Sequence, residues 1–313
     1  MITFDRLTIL TDTKYISDIQ IDKFTRYRTG TLTYKIAKPF SLSLTIKTMP
    51  KQGLIIEFTG KLLGPRYKEL ISLDTIRQCF DNINALGLCH LDTDSILVDS
   101  EVSACDITTD VECSFIRDMN KFMRYNIVSY DLFSAEKKKN GNFEVHKKVD
   151  TPSCWKRLTV YDKYHDMTLS RNKMFCNTYG IAPDDFYGKC RFELRMDAIE
   201  QVKKTLKLRS ASLIKVLQSN ATPISDFVNS FLAPETETPM TSIQKYKMEL
   251  VLADCDYDMN KVAAKLKSLY AEGTGMTKIL NPYRELLNER NNHSVQCAEG
   301  SMRRRIMQMI SSK

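Results

Sequence analysis

Residues 30–60 read GTLTYKIAKPFSLSLTIKTMPKQGLIIEFTG, and this stretch indicates the fold class. It contains runs in which apolar and polar residues alternate, and these runs are separated by Pro39 and by the sequence PKQG at 50–53. Alternation with a period of two is typical of strands with one buried face, and Pro and Gly mark the turns between such strands. The stretch therefore predicts an antiparallel meander.

Helical and extended patterns alternate after the meander. Residues 74–87, DTIRQCFDNINALG, repeat apolar side chains at helical spacing, with Asp74 as N-cap and Gly87 as the stop signal. Further on, the sequence predicts a strand at 100–112, a helix at 115–126, a charged turn at 134–142 leading into a hairpin with strands 143–149 and 156–167, and a last strand at 188–196.

The order of these elements predicts an α+β fold, in which an antiparallel sheet has helices packed on one face. Beyond Asp197 the pattern becomes helical, so we expect a helical C-terminal region after the sheet domain. The predicted division is a domain of residues 1–210 and a helical region of residues 211–313, and the sequence FLAPETETPMT at 231–241 is the best linker candidate. The sequence shows no internal repeat.

The composition is that of an ordinary globular chain with a basic surplus. The 313 residues carry a net charge of +8 and a pI near 8.9, which favours an anionic partner such as nucleic acid. No apolar window approaches the roughly 18 residues of a spanning helix, so we expect no membrane partner. The nine cysteines form no CxxC pair, which favours reduced thiols and a cytoplasmic protein.

The sequence RLTVYDKYHD at 157–166 carries the first candidate site residues. If the strand runs through it, Tyr161, Lys163 and His165 share one face. A phenol beside an ammonium suits a tyrosine nucleophile that attacks a phosphodiester while a cation stabilises the developing negative charge. The alternative is ordinary cross-strand pairing on an exposed surface.

Two acidic residues on the strand at 100–112 form a second candidate. Asp106 and Asp110 share one face, and two such carboxylates repel each other unless a cation lies between them. Hard oxygen ligands suit Mg²⁺ or Mn²⁺. A solvated polar face explains the same residues without a metal.

The strand GKCRFELRM at 188–196 is the third candidate, because Arg191, Glu193 and Arg195 share one of its faces. Glu193 either forms an ion pair with its own arginines or joins the two aspartates as a third metal ligand. The arginines, together with Arg157, are candidates for DNA phosphate contacts.

In order and spacing, the segments ACDITTD, VYDKYHD and CRFELRM resemble the gene II-type replication initiators of filamentous single-stranded DNA phages. They are less closely similar to the rolling-circle initiators of small plasmids. The similarity spans about residues 30–210 and includes GLIIEFTGKLLG and the helical stretch after it. The chain departs from the family pattern at Ala104 and Cys105, where the family has Arg-Ile.

The resemblance implies an enzyme that nicks and rejoins origin DNA to start rolling-circle replication. It implies that Tyr161 forms a 5′-phosphotyrosine intermediate, that Lys163 neutralises the scissile phosphate, and that Asp106 and Glu193 hold the divalent ion. His165 is a candidate helper. The partners implied are single-stranded or supercoiled origin DNA and a host helicase and polymerase, in the cytoplasm of a bacterial host.

Other functions fit the same residues. One is a DNA-binding regulator without catalysis, and another is a relaxase or transposase that uses the same tyrosine chemistry. Tyr179 and Tyr187 precede the last predicted strand and are alternative nucleophiles. Lysines of the C-terminal helices either grip DNA phosphates or form a solvated helix face.

Overall fold

The computed structural model describes residues 2–48, 53–127, 132–138, 142–148, 156–232, 243–256, 258–269 and 276–311. Contacts divide the chain into two compact units, residues 1–233 with 307–313 and residues 234–306. This division lies further along the chain than residue 210, because helices between 199 and 231 pack against strands of the sheet.

The first unit is built on an antiparallel sheet, as predicted. Ten strands belong to it within the described residues, and a separate two-stranded sheet is formed by β2 with β7. The strands are β1 (Phe4–Thr11), β2 (Ile16–Ser17), β3 (Thr25–Arg26), β4 (Leu32–Ile36), β5 (Leu42–Lys47), β6 (Gly53–Thr59), β7 (His90–Leu91), β8 (Glu101–Glu112), β9 (Phe133–Lys137), β10 (Phe143–Lys147), β11 (Lys156–Asp162) and β12 (Lys189–Met196).

The strand order shows an internal duplication. The large sheet runs β3-β4-β5-β6-β1-β8-β12-β11-β10-β9, so β1 and β8 lie side by side at its centre. On each side of them, the last strand of the half comes next and the earlier strands follow outward. The two halves of the sheet therefore share one strand order about an approximate two-fold axis between β1 and β8, although the connections between their strands differ.

The residue pairing follows the same symmetry. In the first half, Glu57 on β6 lies between Thr8 and Ser43, while in the second half Glu193 on β12 lies between Thr108 and Thr159. The repeat was not visible in the sequence, because most of the other paired positions carry different residues in the two halves.

One face of the sheet is apolar and covered, and the opposite face is polar. Leu44, Ile56, Leu7, Ile107 and Phe192 all point to the covered face and are buried. Side chains one residue before or after these lie on the other side, because successive residues of a strand point in opposite directions. That other side carries the charged residues of the candidate site.

Helices cover the apolar face, which confirms the predicted α+β class. The prediction that helices pack on one face only was wrong, because the helical residues 163–179 and the segment Gly60–Glu69 cover part of the polar face, where Arg191 is buried. Phe80 of the first helix contacts Phe58 of β6 edge-on, and Phe227 contacts Phe133 of β9 in the same way. The helices are α1 (Ile76–Asn84), α2 (Thr93–Asp99), α3 (Ile116–Tyr125), α4 (Lys163–Thr168), α5 (Ser170–Tyr179), α6 (Ile199–Leu206), α7 (Leu213–Leu217), α8 (Pro223–Phe231), α9 (Ile243–Asp254), α10 (Met259–Lys267) and α11 (Met276–Ser311).

Several sequence predictions about local structure were wrong. The strand predicted at 156–167 ends at Asp162, where α4 begins. Residues 133–137 form the strand β9 and not a turn, and β9 pairs with β10. The strand β1 was not predicted from the sequence.

The second unit has its own small core. Its buried apolar side chains join α9, α10 and the first part of α11. They are Leu252 and Cys255, Val262 and Leu266, and Leu280. Across the part of the chain that the structure describes, no helix is long and apolar enough to cross a membrane.

Candidate functional site

The three strands singled out from the sequence are neighbours in the sheet, in the order β8-β12-β11. Arg191 lies opposite Asp110 on one side and Tyr161 on the other. In an antiparallel pair, directly opposite residues point to the same face. The sheet thus brings most of the predicted site residues of these strands onto its polar face.

The centre of the site is a hydrogen bond between Tyr161 and Glu193. The Tyr161 hydroxyl donates to Oε1 of Glu193 at 2.5 Å. Burial and the nearby Glu193 carboxylate raise the pKa of the Tyr161 hydroxyl well above its usual value, and the residue is 8% exposed. A phenol with a raised pKa needs a base to become a nucleophile.

Glu193 is suited to be that base. Burial and the carboxylate of Asp5 raise its pKa to about 7, although Arg191, Lys163 and the Tyr161 hydrogen bond act in the opposite direction. A general base works best when its pKa lies near the working pH. The pair Tyr161–Glu193 therefore has the arrangement of a nucleophile and its base.

Lys163 reaches the same place from a different element than predicted. It is the first residue of α4, where the backbone turns after β11 because the Asp162 side chain accepts from the backbone N–H of His165. Its ammonium lies 5.6 Å from the centre of the Tyr161 ring and donates to Asp166 at 2.9 Å. Burial and Arg191 lower the pKa of Lys163, but Tyr67, Asp166 and Asp5 outweigh them and raise it overall.

His165 does not share a strand face with Tyr161. Because α4 has replaced the expected strand, the His165 side chain is exposed on the helix. The prediction that Tyr161, Lys163 and His165 form one row on a strand was wrong.

Arg191 is a structural group and is not available to DNA in this structure. Its guanidinium is fully buried and donates to both oxygens of Asp110, at 2.6 and 2.8 Å. It also donates to Asp5 at 2.8 Å and to the hydroxyl of Tyr67 at 2.8 Å. Its side chain holds Asp110 and Asp5 near Glu193, whose Oε1 lies 3.9 Å away.

The predicted metal ligands do not form a divalent-cation site with the residues around them. Both oxygens of Asp110 are bonded to Arg191, and both oxygens of Asp106 accept from Arg6, at 3.0 and 3.1 Å. Burial raises the pKa of Asp106 despite the opposing effect of Arg6. Within the described ranges, no group of three or more His, Cys, Asp or Glu side chains is arranged to hold a metal ion. Asp106 and Asp110 are thus ion-paired with arginines in this arrangement, and Mg²⁺ or Mn²⁺ binding stays a prediction.

Beside the Tyr161–Glu193 pair, the polar face contains a depression of about 230 Å³. Glu193 is one wall of it, so the base faces both the phenol and this open space. The lining also contains two arginines directly opposite each other in the sheet, Arg157 and Arg195. The complete lining is Asp106, Glu144, Arg157, Thr159, Glu193 and Arg195.

Several residues that surround the site were not predicted from the sequence. Asp5 and Arg6 come from β1, Tyr67 from the 3-10 segment Gly60–Glu69, and Asp166 and Arg171 from the helices after β11. Arg171 donates to Asp166, whose pKa falls to about 2 because Lys163 and Arg171 outweigh the effect of burial. Only the polar positions of β1 carried a sequence signal, since Arg6 and Thr8 alternate with apolar Leu7 and Ile9.

The alternative tyrosines lie apart from this pair. Tyr187 is 76% exposed, and its ring contacts Tyr164 at 5.6 Å between centres. Tyr179 ends α5, and its ring packs on Phe175. Neither hydroxyl contacts a carboxylate among the described residues.

No known protein family matches the chain, and no curated protein or solved structure is detectably similar to it. The similarity to gene II-type initiators therefore depends on the three strand segments quoted above.

Proposed function

We propose that the chain nicks and rejoins DNA through a tyrosine, as a replication initiator of the rolling-circle type. The observation that carries the proposal is the hydrogen bond from the Tyr161 hydroxyl to Glu193, a carboxylate whose pKa is about 7 and which faces an open depression. A nucleophile paired with a base of that pKa is typical of covalent catalysis.

The reaction follows from this pair. The Glu193 carboxylate takes the proton of the Tyr161 hydroxyl, and the phenolate oxygen forms a bond to the scissile phosphorus. The bond from phosphorus to the 3′ oxygen breaks, and that oxygen takes a proton from water to become a 3′ hydroxyl. The 5′ phosphate stays on Tyr161 until a 3′ hydroxyl attacks the phosphorus and loses its proton to water. The bond from phosphorus to the Tyr161 oxygen then breaks, and the phenolate takes back the proton held by Glu193.

Cations near the phenol support phosphoryl transfer. Lys163 lies against the Tyr161 ring, and its positive charge favours both the phenolate and the extra negative charge of the transition state. Lys163 is itself buried, so its effect on the phosphate is through the low-dielectric interior and not through a solvent-exposed contact.

Arg157 and Arg195 support DNA binding at the depression. Like charges directly opposite each other in a sheet are destabilising. The Asp197 carboxylate offsets that repulsion in this structure, because Arg195 donates to both of its oxygens at 2.9 Å. A phosphate at the depression would compete with Asp197 for Arg195 and would bind with the charge-assisted geometry that arginine favours. We propose that these two arginines hold the DNA backbone beside Glu193.

The predicted Mg²⁺ or Mn²⁺ and the predicted host helicase and polymerase stay predictions. Nicking assays with each ion and with a chelator would test the first of these. Copurification with host replication proteins would test the second.

Burial of the phenol favours a second candidate function, a DNA-binding protein without catalysis. Tyr161 is 8% exposed, so a phosphate reaches its hydroxyl only if Glu193 or a neighbouring side chain moves. Such a protein would use the polar sheet face and Arg157 and Arg195 in the same way and would never form the covalent bond.

The Tyr161→Phe variant distinguishes the two functions. We expect it to lower nicking of supercoiled origin DNA by at least about a thousandfold, because the nucleophile is lost, while DNA binding stays within about twofold. Tyr187→Phe is the matched control, since it removes an exposed phenol outside the pair and should leave nicking unchanged. Nicking is followed on gels and binding by fluorescence anisotropy.

Two outcomes would contradict the proposal. If the wild-type chain binds origin DNA and never nicks it, the non-catalytic function stands. If the covalent peptide isolated from a trapped adduct contains Tyr179 or Tyr187, the activity is right and the assignment to Tyr161 is wrong.

A further inference from the structure

We propose that Tyr67 is a positioning residue of the candidate site, whose phenol oxygen holds Lys163 and Arg191 beside the Tyr161–Glu193 pair. The inference deepens the proposed function and rests on it for one of its two tests. Tyr67 belongs to the 3-10 segment Gly60–Glu69 and carries no signal in the sequence that relates it to the site.

The hydrogen bonds of Tyr67 use every bonding position of its hydroxyl. The oxygen accepts from Lys163 Nζ at 2.8 Å and from Arg191 Nη1 at 2.8 Å, and the hydroxyl hydrogen points to Asp5 Oδ1 at 3.3 Å. A phenol has one hydrogen and two acceptor positions, so this arrangement is complete. Burial raises the pKa of Tyr67 to about 12, although Arg191 and Lys163 oppose it, so the hydroxyl keeps its hydrogen.

The hydroxyl oxygen of Tyr67 lies between two buried cations, Lys163 and Arg191. Two buried cations repel each other strongly where the dielectric is low. Both must nevertheless lie near the nucleophile and its base. Lys163 is 5.6 Å from the centre of the Tyr161 ring, and Arg191 is 3.9 Å from Glu193 Oε1. The carboxylates of Asp166, Asp5 and Asp110 balance the two charges. The neutral Tyr67 oxygen accepts from both cations and fixes where they lie relative to each other.

The ring of Tyr67 is fixed independently of its hydroxyl. It contacts Phe175 nearly perpendicularly at 5.1 Å and Phe186 at 6.0 Å, and it is 1% exposed. Replacing Tyr67 with Phe therefore removes the oxygen and keeps the ring. Tyr164→Phe is a matched control, because Tyr164 packs against the same cluster and its hydroxyl bonds to neither cation among the described residues.

The first test is kinetic. In single-turnover nicking, we expect Tyr67→Phe to slow the chemical step about tenfold to a hundredfold, because two buried cations lose an acceptor, while the Kd for origin DNA is unchanged. Tyr164→Phe should leave both values within about twofold. An unchanged rate in Tyr67→Phe, or an equal loss in Tyr164→Phe, would overturn the inference.

The second test does not need nicking. The ¹⁵N signal of the Lys163 ammonium, assigned by its loss in Lys163→Arg, reports directly on the contact. We expect its protons to exchange with water at least about tenfold faster in Tyr67→Phe than in the wild type or in Tyr164→Phe, because a buried hydrogen bond is lost. Identical signals in all three proteins would show that Tyr67 does not hold Lys163.

The two tests distinguish a failure of the proposed function from a failure of the positioning role of Tyr67. If the wild type never nicks DNA while the Lys163 signal responds to Tyr67→Phe, the proposed function is wrong and the positioning role stands. If Tyr67→Phe does not fold, 4-aminophenylalanine at position 67 keeps the size and polarity and removes the strong acceptor. The same faster exchange is then expected, and its absence would overturn the inference.

Discussion

The Glu193 carboxylate contacts both the proposed nucleophile and the open depression. On one side it accepts the Tyr161 hydrogen, and on the other it is a wall of the depression that also contains Arg195 and Arg157. Burial next to Asp5 explains why its pKa lies near 7 and not near 4. The same carboxylate on an exposed strand would have a pKa of about 4.3 and would be ionised at neutral pH.

This pKa predicts the pH dependence of nicking. The base must be ionised, so the fraction of active enzyme increases as pH rises through about 7 and levels off above it. We expect the single-turnover rate at pH 8 to exceed that at pH 6 by about tenfold, while DNA binding is measured at both pH values to correct for occupancy. A rate that stays constant between pH 6 and 8 would show that Glu193 is not the base.

At the scale of the element, the end of β11 decides where Lys163 lies. Asp162 is both the last residue of the strand and the N-cap of α4, and its side chain accepts from the backbone N–H of His165 at 3.0 Å. The cap turns the chain out of the sheet just before Lys163. The ammonium consequently enters the interior beside Tyr67 instead of standing on the strand.

Removing this cap should therefore affect both stability and activity. We expect Asp162→Ala to lower the free energy of unfolding by about 1 kcal/mol, the usual value for an N-cap, and to slow nicking because Lys163 is the first residue of the helix. Asp162→Asn keeps an acceptor and should change the stability by less than half as much. Urea denaturation measures the difference, and equal losses in the two variants would exclude the capping role.

The sequence predicted the α+β class and most element positions of the sheet domain, and its failures have physical causes. Asp162 and Lys163 fit a strand pattern as well as a helix start, and only the cap decides between them. The strand β1 was missed because its pairing with β8 is irregular between Phe4 and Arg6, which breaks the period of two at Asp5. The alternation of apolar and polar residues therefore predicts regular strands but not strands with a bulge.

The candidate site was predictable only where it lies on regular strands. Tyr161 and Glu193 were found because β11 and β12 keep their alternation. Tyr67 and Asp166 come from segments distant in sequence, and nothing in a local pattern relates them to a phenol on another element. The arginine partners of Asp106 and Asp110 were equally hidden, so these acids were interpreted as metal ligands.

The two halves of the large sheet can be compared position by position. Glu57 in the first half corresponds to Glu193 in the second, since each lies between a Thr on the central strand and a Ser or Thr on the next strand outward. Extending the same alignment places Thr45 and Ile55 at the positions of Tyr161 and Arg191. The first half kept the glutamate and lacks both the phenol and the guanidinium.

The comparison predicts opposite results for two equivalent substitutions. Glu193→Gln should lower nicking at least about a hundredfold, because it removes the base, and Glu57→Gln should leave it within about twofold. Gel assays of nicking and anisotropy measurements of DNA binding check both variants. Equal losses from both would mean that the two halves contribute alike, which contradicts a single catalytic half.

The difference between the two halves of the sheet has a consequence for the proposed reaction. Only the second half of the described sheet places a phenol and a guanidinium beside its glutamate, so the proposed reactive group belongs to one half. Under the proposed chemistry, such a chain captures a single broken strand end at a time. Any process that must hold two severed ends at once would then require a second molecule.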